Sequence, residues 1–234
     1  MKNLVIKACK EIGAELNELQ AEQFEKYYNL LIEWNEKINL TRITEPEQVA
    51  VKHFADSLTV LNFYDIPKNA TVIDVGTGAG FPGIPLKIFR EDINLSLLDS
   101  LNKRLNFLSE VADAINADVT TIHSRAEDAG KDKDKRECYD LAVSRAVARL
   151  NTLCEYCMPL VKVGGSFIAM KASDYKEELK EAENAIKVLG GEISSVNEFD
   201  LDGAGERAVI VIKKIKTTPS AYPRNSKKIK NKPL

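Results

Sequence analysis

Apolar positions in this chain change period near residue 70. Before that point they recur every three or four residues: Phe24, Tyr27, Tyr28, Leu31, Trp34 and Ile38 form one continuous stripe, the spacing of an amphipathic helix with a covered face. The pattern predicts a helix over Leu4–Ile12, stopped by Gly13, and a longer one from Leu19 to Ile38. A third helix is expected to open at Thr44-Glu-Pro-Glu47, with Thr44 capping and Pro46 in the first turn, and to run through His53 toward Leu61. An aromatic stripe can also serve as a base-stacking platform, but stacking residues sit singly among basic ones, whereas a continuous stripe needs a cover. Core packing is therefore the reading taken for it.

From Thr71 onward short β-branched runs alternate with helical spacing, which signals a mostly parallel sheet covered on both faces. Strands are expected near Thr71–Val75, Leu95–Leu98, Val119–Ile122, Leu141–Val143, Ser166–Met170, Ile193–Val196 and Ala208–Ile212, with helices over Asn102–Asn116 and Tyr175–Leu189. The link Asp200-Leu-Asp-Gly-Ala-Gly205 is too short for a parallel crossover, so the last two strands should pair antiparallel. The expected fold class is α/β: a Rossmann-like, mostly parallel seven-stranded sheet with an antiparallel last strand, plus an N-terminal helical extension. That architecture is typical of class I methyltransferases. Its parts would be 1–69, a helical extension packed on the core; 70–216, the ligand-binding domain; and 217–234, a basic tail.

Between the first strand and the next helix lies Asp74-Val-Gly-Thr-Gly-Ala-Gly-Phe-Pro-Gly83. Alternating glycines let backbone N–H groups approach a ligand where a Cβ would obstruct it. The dinucleotide fingerprint G-x-G-x-x-G fails in register, because the third glycine would fall on Phe81. Asp74 just ahead of the loop would oppose a pyrophosphate and suit a cation, and S-adenosylmethionine carries both an amino group and a sulfonium. Asp99, closing the next apolar run, stands where an acceptor for ribose hydroxyls belongs, although that acid alone fits NAD equally well. A plain strand-to-helix turn is the competing structural reading.

Residues that follow the later strands are candidates on the same topological ground. Glu127, in Arg125-Ala-Glu-Asp128, can accept from an adenine amino group, or can be an acidic helix-start residue. Arg145 can hold a substrate anion or a structural carboxylate. The fourth strand is not followed by the Asn/Asp-Pro-Pro-aromatic clamp of exocyclic-amine methyltransferases, nor by a cysteine for attack on a pyrimidine, and no general base stands out. An acceptor that is already a nucleophile, such as a ring nitrogen with a free lone pair, needs positioning and not proton removal. His53 and Asp56 lie three apart on one helix face and can approach the site, although a packing or capping role is the commoner one for such a histidine.

Charge adds a partner. The 234-residue chain has net charge −2 and 44% hydrophobic residues, ordinary for one globular domain. Yet Lys213, Lys214, Lys216, Arg224, Lys227, Lys228, Lys230 and Lys232 put +8 on the end with no acid, leaving −10 on the rest. A basic tail on an acidic body points to nucleic acid or an anionic surface, with a merely solvated tail as the equal alternative for the lysine run alone, and Arg224 beside Tyr222 adds a guanidinium and a stacking ring, which favours RNA. Arg224, Lys227 and Lys228 are the expected RNA contacts. Deleting Lys213–Leu234 is expected to weaken RNA binding and leave cofactor affinity intact, provided the last strand stays folded. Cys154-Glu-Tyr-Cys157 has C-x-x-C spacing but no second pair, so helix packing is preferred to a zinc site and no metal is expected. The N-terminal apolar run is too short for a signal sequence, which gives a cytoplasmic expectation with no membrane partner.

Taken jointly, Asp74-Val-Gly-Thr-Gly-Ala-Gly-Phe-Pro-Gly-Ile-Pro-Leu86, Leu98-Asp-Ser-Leu-Asn-Lys-Arg104, His123-Ser-Arg-Ala-Glu-Asp128, Ser144-Arg-Ala146 and Tyr222-Pro-Arg224 with Lys232-Pro-Leu234 closely resemble the bacterial glucose-inhibited division protein B family, also called ribosomal RNA small-subunit methyltransferase G. Trp34-Asn-Glu-Lys-Ile-Asn-Leu40 and His53-Phe-Ala-Asp-Ser-Leu58 extend the resemblance over nearly the whole chain. It implies methyl transfer from S-adenosyl-L-methionine to N7 of one guanine of 16S ribosomal RNA in the small ribosomal subunit. It implies cofactor contacts at Gly76, Phe81, Ala126, Glu127 and Arg145; Gly78 belongs to the same loop, and Asp99 is added on physical grounds. The alternatives are a nucleotide-dependent oxidoreductase, opposed by Phe81 and Asp74, and a cofactor-bound RNA-binding module without turnover.

Overall fold

The computed structural model describes residues 1–234. The N-terminal part is helical: α1 (Lys2–Glu11), α2 (Glu18–Ile38), then one uninterrupted helical run made of α3 (Pro46–Val49), a wide π turn over Ala50–Ala55, α4 (Asp56–Leu58) and a tight 3₁₀ turn over Thr59–Asn62. Gly13 follows α1 at φ +82°, a conformation that suits glycine. Asn17 caps α2 by accepting from the Gln20 N–H while the Gln20 side chain accepts from the Asn17 N–H, a reciprocal capping box. The third start differs from expectation: Glu45, not Thr44, is the capping residue, without a side-chain bond, and the Thr44 carbonyl accepts from Tyr28 Oη at 3.1 Å. Pro46 occupies the first turn, as its fixed φ and missing N–H favour.

The sheet follows: β1 (Thr71–Val75), β2 (Asn94–Asp99), β3 (Val119–His123), β4 (Tyr139–Arg145), β5 (Val161–Lys171), β6 (Gly191–Leu201) and β7 (Gly205–Lys214). The helices among them are α5 (Gly83–Phe89), α6 (Asn102–Ile115), α7 (Ala126–Ala129), α8 (Leu150–Cys157), α9 (Tyr175–Val188) and, after β7, α10 (Ser226–Asn231). Strand order is β3-β2-β1-β4-β5-β7-β6. β1 through β5 pair parallel, while β7 pairs antiparallel with both β5 and β6. The last strand therefore turns back at Gly203, φ +74°, and inserts between two strands that share a direction.

Strand residues alternate between two cores. Val72, Leu95, Leu97, Leu141, Val143, Ile168 and Val209 face a core built with α1, α2, α5 and α6. Ile73, Val75, Leu98, Ala142, Phe167, Ala169 and Ile210 face one built with α8 and α9. The aromatic stripe of α2 is covered: Phe24, Tyr27 and Leu31 are fully buried, and Phe24 and Tyr27 lie 4.8 and 5.4 Å from the Phe54 ring. Cys154 and Cys157 are buried in the second core, where burial pushes both thiols up.

The C-terminal segment does not trail away. Lys214 is fully buried at the end of β7, its Nζ donating to the carbonyls of Met158 and Val161 and to Thr218 Oγ1. Arg136 donates to the carbonyls of Tyr222 and Thr218, and Ile229 of α10 is fully buried. Two of the eight basic residues of the segment, Lys214 and Arg224, are thus turned inward.

Candidate functional site

Strand order explains why residues scattered over 70 positions meet. With β3, β2, β1 and β4 adjacent, the turns after their carboxyl ends open onto one crevice at the point where the chain reverses its direction across the sheet. A cleft of about 550 Å³ there is lined by Gly76, Gly78 and Phe81 after β1, Asp99 at the end of β2, Ala126 and Glu127 after β3, and Arg145 at the end of β4. All seven expected cofactor residues line the same cavity.

The glycine loop is held open by its surroundings. A Cβ on Gly76 would stand 2.6 Å from Val147 Cγ2, and one on Gly80, at φ +98°, would stand 2.5 Å from Tyr27 Oη and 2.7 Å from Leu108 Cδ2. Tyr27 Oη donates to the Ala79 carbonyl, so the N-terminal helix grips the loop directly. Asp74 supports the loop from below. Its carboxylate lies beneath the loop and outside the cleft lining, fully buried, with Oδ2 accepting from Thr77 Oγ1 at 2.8 Å and from the Gly83 N–H at 2.9 Å. Burial pushes it up to about 6, partly offset by those two bonds. Through Oδ2 it sets the loop's shape, while Oδ1 is buried without a hydrogen-bond partner.

Asp99, 3% exposed, fixes the loop from the other side: Oδ2 accepts from the Gly78 N–H at 3.0 Å and Oδ1 from the Leu101 N–H at 2.9 Å. Arg104 Nη1 stands 3.3 Å from Oδ2. Glu127 is 5% exposed, and its Oε1 has no hydrogen-bond partner. Arg125 Nη1 is 3.9 Å away, beyond hydrogen-bond reach. A buried carboxylate oxygen without a donor, aimed into a cleft, is a costly arrangement that a ligand N–H would relieve.

Arg145 sits at a corner. Its Nη1 donates to Asp56 Oδ2 at 2.6 Å and to the Lys52 carbonyl at 3.0 Å, and its guanidinium lies 5.0 Å from the centre of the Phe81 ring. On the same ring the His53 imidazole stacks at 4.4 Å and 24°. Asp56 also receives Arg207 Nε of β7 at 2.9 Å on its Oδ1. His53 and Asp56 therefore do reach the site, tying the third helical run to β4 and β7. Burial, and after it the Arg145 charge, lower His53 to about 4, so the stacked ring is neutral. Ala146 holds φ +57° just beyond Arg145, a strained conformation for alanine.

Across this corner lies a second cleft of about 570 Å³ that shares His53, Arg145, Ala146 and Val147 with the first. Its walls add Ile43, Met170, Phe199 and Val209 with Lys52, Arg149, Lys171 and Arg207. Asp56, Asp174 and Glu178 lie among them, with Arg207 paired to Asp56, Lys171 to Glu178 and Arg149 to Glu181, so the cleft offers an aromatic base an apolar wall with mixed charge around it.

Sequence reasoning missed several contributors to the first cleft, Val147 among them. Thr41, Tyr156 and Ser226 also line it. Only Ser226 follows a legible local cue, since Asn225 caps α10 by accepting from the Lys228 N–H and N-cap chemistry can be read from a sequence. Of the expected RNA contacts, Lys227 and Lys228 are exposed, whereas Arg224 faces inward on Glu155 with Nη2 at 2.6 Å. The expected indifference of the cofactor site to deletion of Lys213–Leu234 does not survive the geometry. That cut removes the end of β7, the buried Lys214 and a wall of the cleft.

Comparison with known proteins extends over nearly the whole chain. A family model described as rRNA small subunit methyltransferase G matches residues 20–209. The chain is 54% identical over 229 residues to the ribosomal RNA small subunit methyltransferase G of Desulforamulus reducens, covering 97% of this chain and 95% of that one. It is 48% identical over 234 residues to the protein of the same name from Clostridium perfringens, covering 99% and 98%. Among solved structures, a SAM-dependent methyltransferase from Aquifex aeolicus superposes with TM-score 0.56 at 18% identity, over 74% of this chain and 96% of that one. TYW2 of P. horikoshii superposes with TM-score 0.56 at 12% identity, over 70% and 63%. These two likenesses establish the Rossmann-like methyltransferase fold.

Proposed function

This chain belongs to the rRNA small subunit methyltransferase G family, and from that premise we propose that it transfers the methyl group of S-adenosylmethionine to N7 of a guanine in small-subunit ribosomal RNA. It is an S-adenosylmethionine-dependent methyltransferase acting on ribosomal RNA. The observation that carries the assignment of the cofactor to the first cleft is the unpartnered Glu127 Oε1, buried beside the glycine loop.

The residues present fit the group. Glu127 would accept from the adenine amino group, Asp99 from the ribose hydroxyls, and the loop would admit the ligand closely because no Cβ stands on Gly76 or Gly78. When bound, the cofactor supplies an electrophilic methyl on a sulfonium. The chain's own contribution is placement. Phe81 lines the first cleft and packs on His53 and Arg145, two residues of the wall shared by the two clefts, and the second cleft would receive the base. Guanine N7 is an unprotonated lone pair, so the transfer needs no general base. His53, neutral and hydrogen-bonded to Thr41 Oγ1 at 2.9 Å, is a packing element of that wall. Positioning two reactants is itself worth several powers of ten in rate.

No helix is long and apolar enough to cross a membrane. A cytoplasmic site of action, alongside its ribosomal substrate, is part of the same reading.

The test is methyl transfer from radiolabelled S-adenosylmethionine to small subunits lacking endogenous modification, with the labelled nucleoside identified by mass spectrometry. The expected product is 7-methylguanosine; cofactor binding without incorporation would favour an RNA-binding module. Glu127→Ala should raise the cofactor Kd about tenfold or more, the scale of a lost hydrogen bond to a charged group. An unchanged Kd would remove Glu127 from the site.

A further inference from the structure

Resting on the cofactor assignment above, we propose that segment 217–234 is a working part of the cofactor site and couples it to RNA, through Ser226 in the cleft wall and the Arg224–Glu155 anchor that holds it there. In the chain Ser226 is 101 residues from Arg125, yet Arg125 Nη1 reaches Ser226 Oγ at 3.5 Å and both line the cavity with Glu127 and Tyr156. The wall on the Glu127 side is therefore incomplete until the segment has folded back.

What folds it back is built and specific. Glu155 of α8 is fully buried, and its two oxygens accept from Arg224 Nε, Nη2 and backbone N–H at 2.6–3.1 Å. A buried carboxylate is tolerated when its acceptor sites are met by charge-assisted donors, and removing the guanidinium leaves the charge alone. Tyr156, the next residue on α8, lines the cleft, so anchor and wall are neighbours on one helix. Pro223 packs on Gly130, where an added Cβ would stand 3.0 Å from Pro223 Cγ.

The outer face of the same stretch is basic. Lys227, Lys228 and Lys230 are exposed, one to four residues beyond Ser226. One short element thus meets the nucleoside half of the cofactor on one side and presents cations for phosphate on the other. Ligands that both favour the folded-back segment must raise each other's affinity by one common factor.

The experiment is calorimetric titration of the full chain with S-adenosylhomocysteine, which cannot turn over, with and without small-subunit ribosomal RNA. For the unmodified protein RNA should tighten the nucleoside by about fivefold or more. Arg224→Ala should raise the Kd about tenfold and abolish the dependence on RNA. Should that variant fail to fold, Ser226→Phe decides, because it crowds the cleft wall and leaves the anchor intact: it should lose nucleoside affinity while its thermal midpoint holds. Unmodified affinity in Ser226→Phe, or RNA-independent affinity in the unmodified protein, overturns the proposal. Failure of the unmodified chain to bind S-adenosylhomocysteine at all would instead overturn the cofactor assignment beneath it.

Discussion

His53 stacks on Phe81 and is lowered from 6.5 to about 4 by burial and by Arg145. Between those values the unfolded chain carries the extra proton, so the contribution of His53 to stability rises with pH and is lost as pH falls through about 4. Asp74 acts in the opposite sense: raised from 3.8 to about 6 by burial, it contributes stability that is present below 3.8 and lost as pH rises through 6. His53→Phe keeps a ring on Phe81 and removes one titration. The unfolding free energy of the unmodified protein, relative to this variant, should rise by roughly 3 kcal/mol from pH 4 to 6.5, at about 1.4 kcal/mol for each pH unit. A constant difference in denaturant titrations across that range would show an ordinary imidazole. At this scale the sequence was readable where a need is local. Alternating glycines declare a close backbone approach. The sign of Asp74 was legible too, but not its direction: nothing along the chain says whether a carboxylate points up into a cleft or down onto Thr77 and Gly83.

Among elements, α2 does more than cover the sheet. Phe24, Tyr27 and Leu31 fill the first core, and Tyr27 also sets the roof of the glycine loop. Gly80→Ala would place a methyl on Tyr27 Oη and Leu108 at a backbone angle that alanine rarely adopts. It should cost about 2 kcal/mol of stability in thermal unfolding and weaken cofactor binding at least tenfold. An equal loss from Gly164→Ala, where nothing stands within 4 Å at φ +88°, would show that backbone strain alone explains the effect. Strands and long helices were visible in the sequence because period 2 and period 3.6 differ. The boundaries of α8 were not. Leu150, Leu153, Cys154 and Cys157 keep helical spacing, but buried Met158, Pro159 and Leu160 carry the apolar run on into a 3₁₀ turn and β5, so no polar residue marks where the helix stops.

For the whole molecule, the charge asymmetry was legible and its destination was not. The basic count marked an RNA-facing end, yet burial of Lys214 and pairing of Arg224 depend on Met158, Val161 and Glu155, which belong to other elements. Lys227 and Lys228 remain free on the surface. Neutralising both to Gln should weaken RNA binding evenly across sequences and reduce the slope of log affinity against log salt by about 0.7–0.9 per lysine. An unchanged slope would place the phosphates elsewhere, for instance along the second cleft.

The insertion of β7 has a consequence for how the protein is made. Translation delivers β5 and β6 first, and in the finished sheet neither touches the other. Until Gly205–Lys214 leaves the ribosome, β5 presents an open edge rich in apolar residues, and β6 has no partner at all. The segment that brings Ser226 to the first cleft emerges later still. A nascent or prematurely terminated chain is therefore both sticky and short of part of the cleft wall, and both defects are made good only by the last strand and the segment behind it.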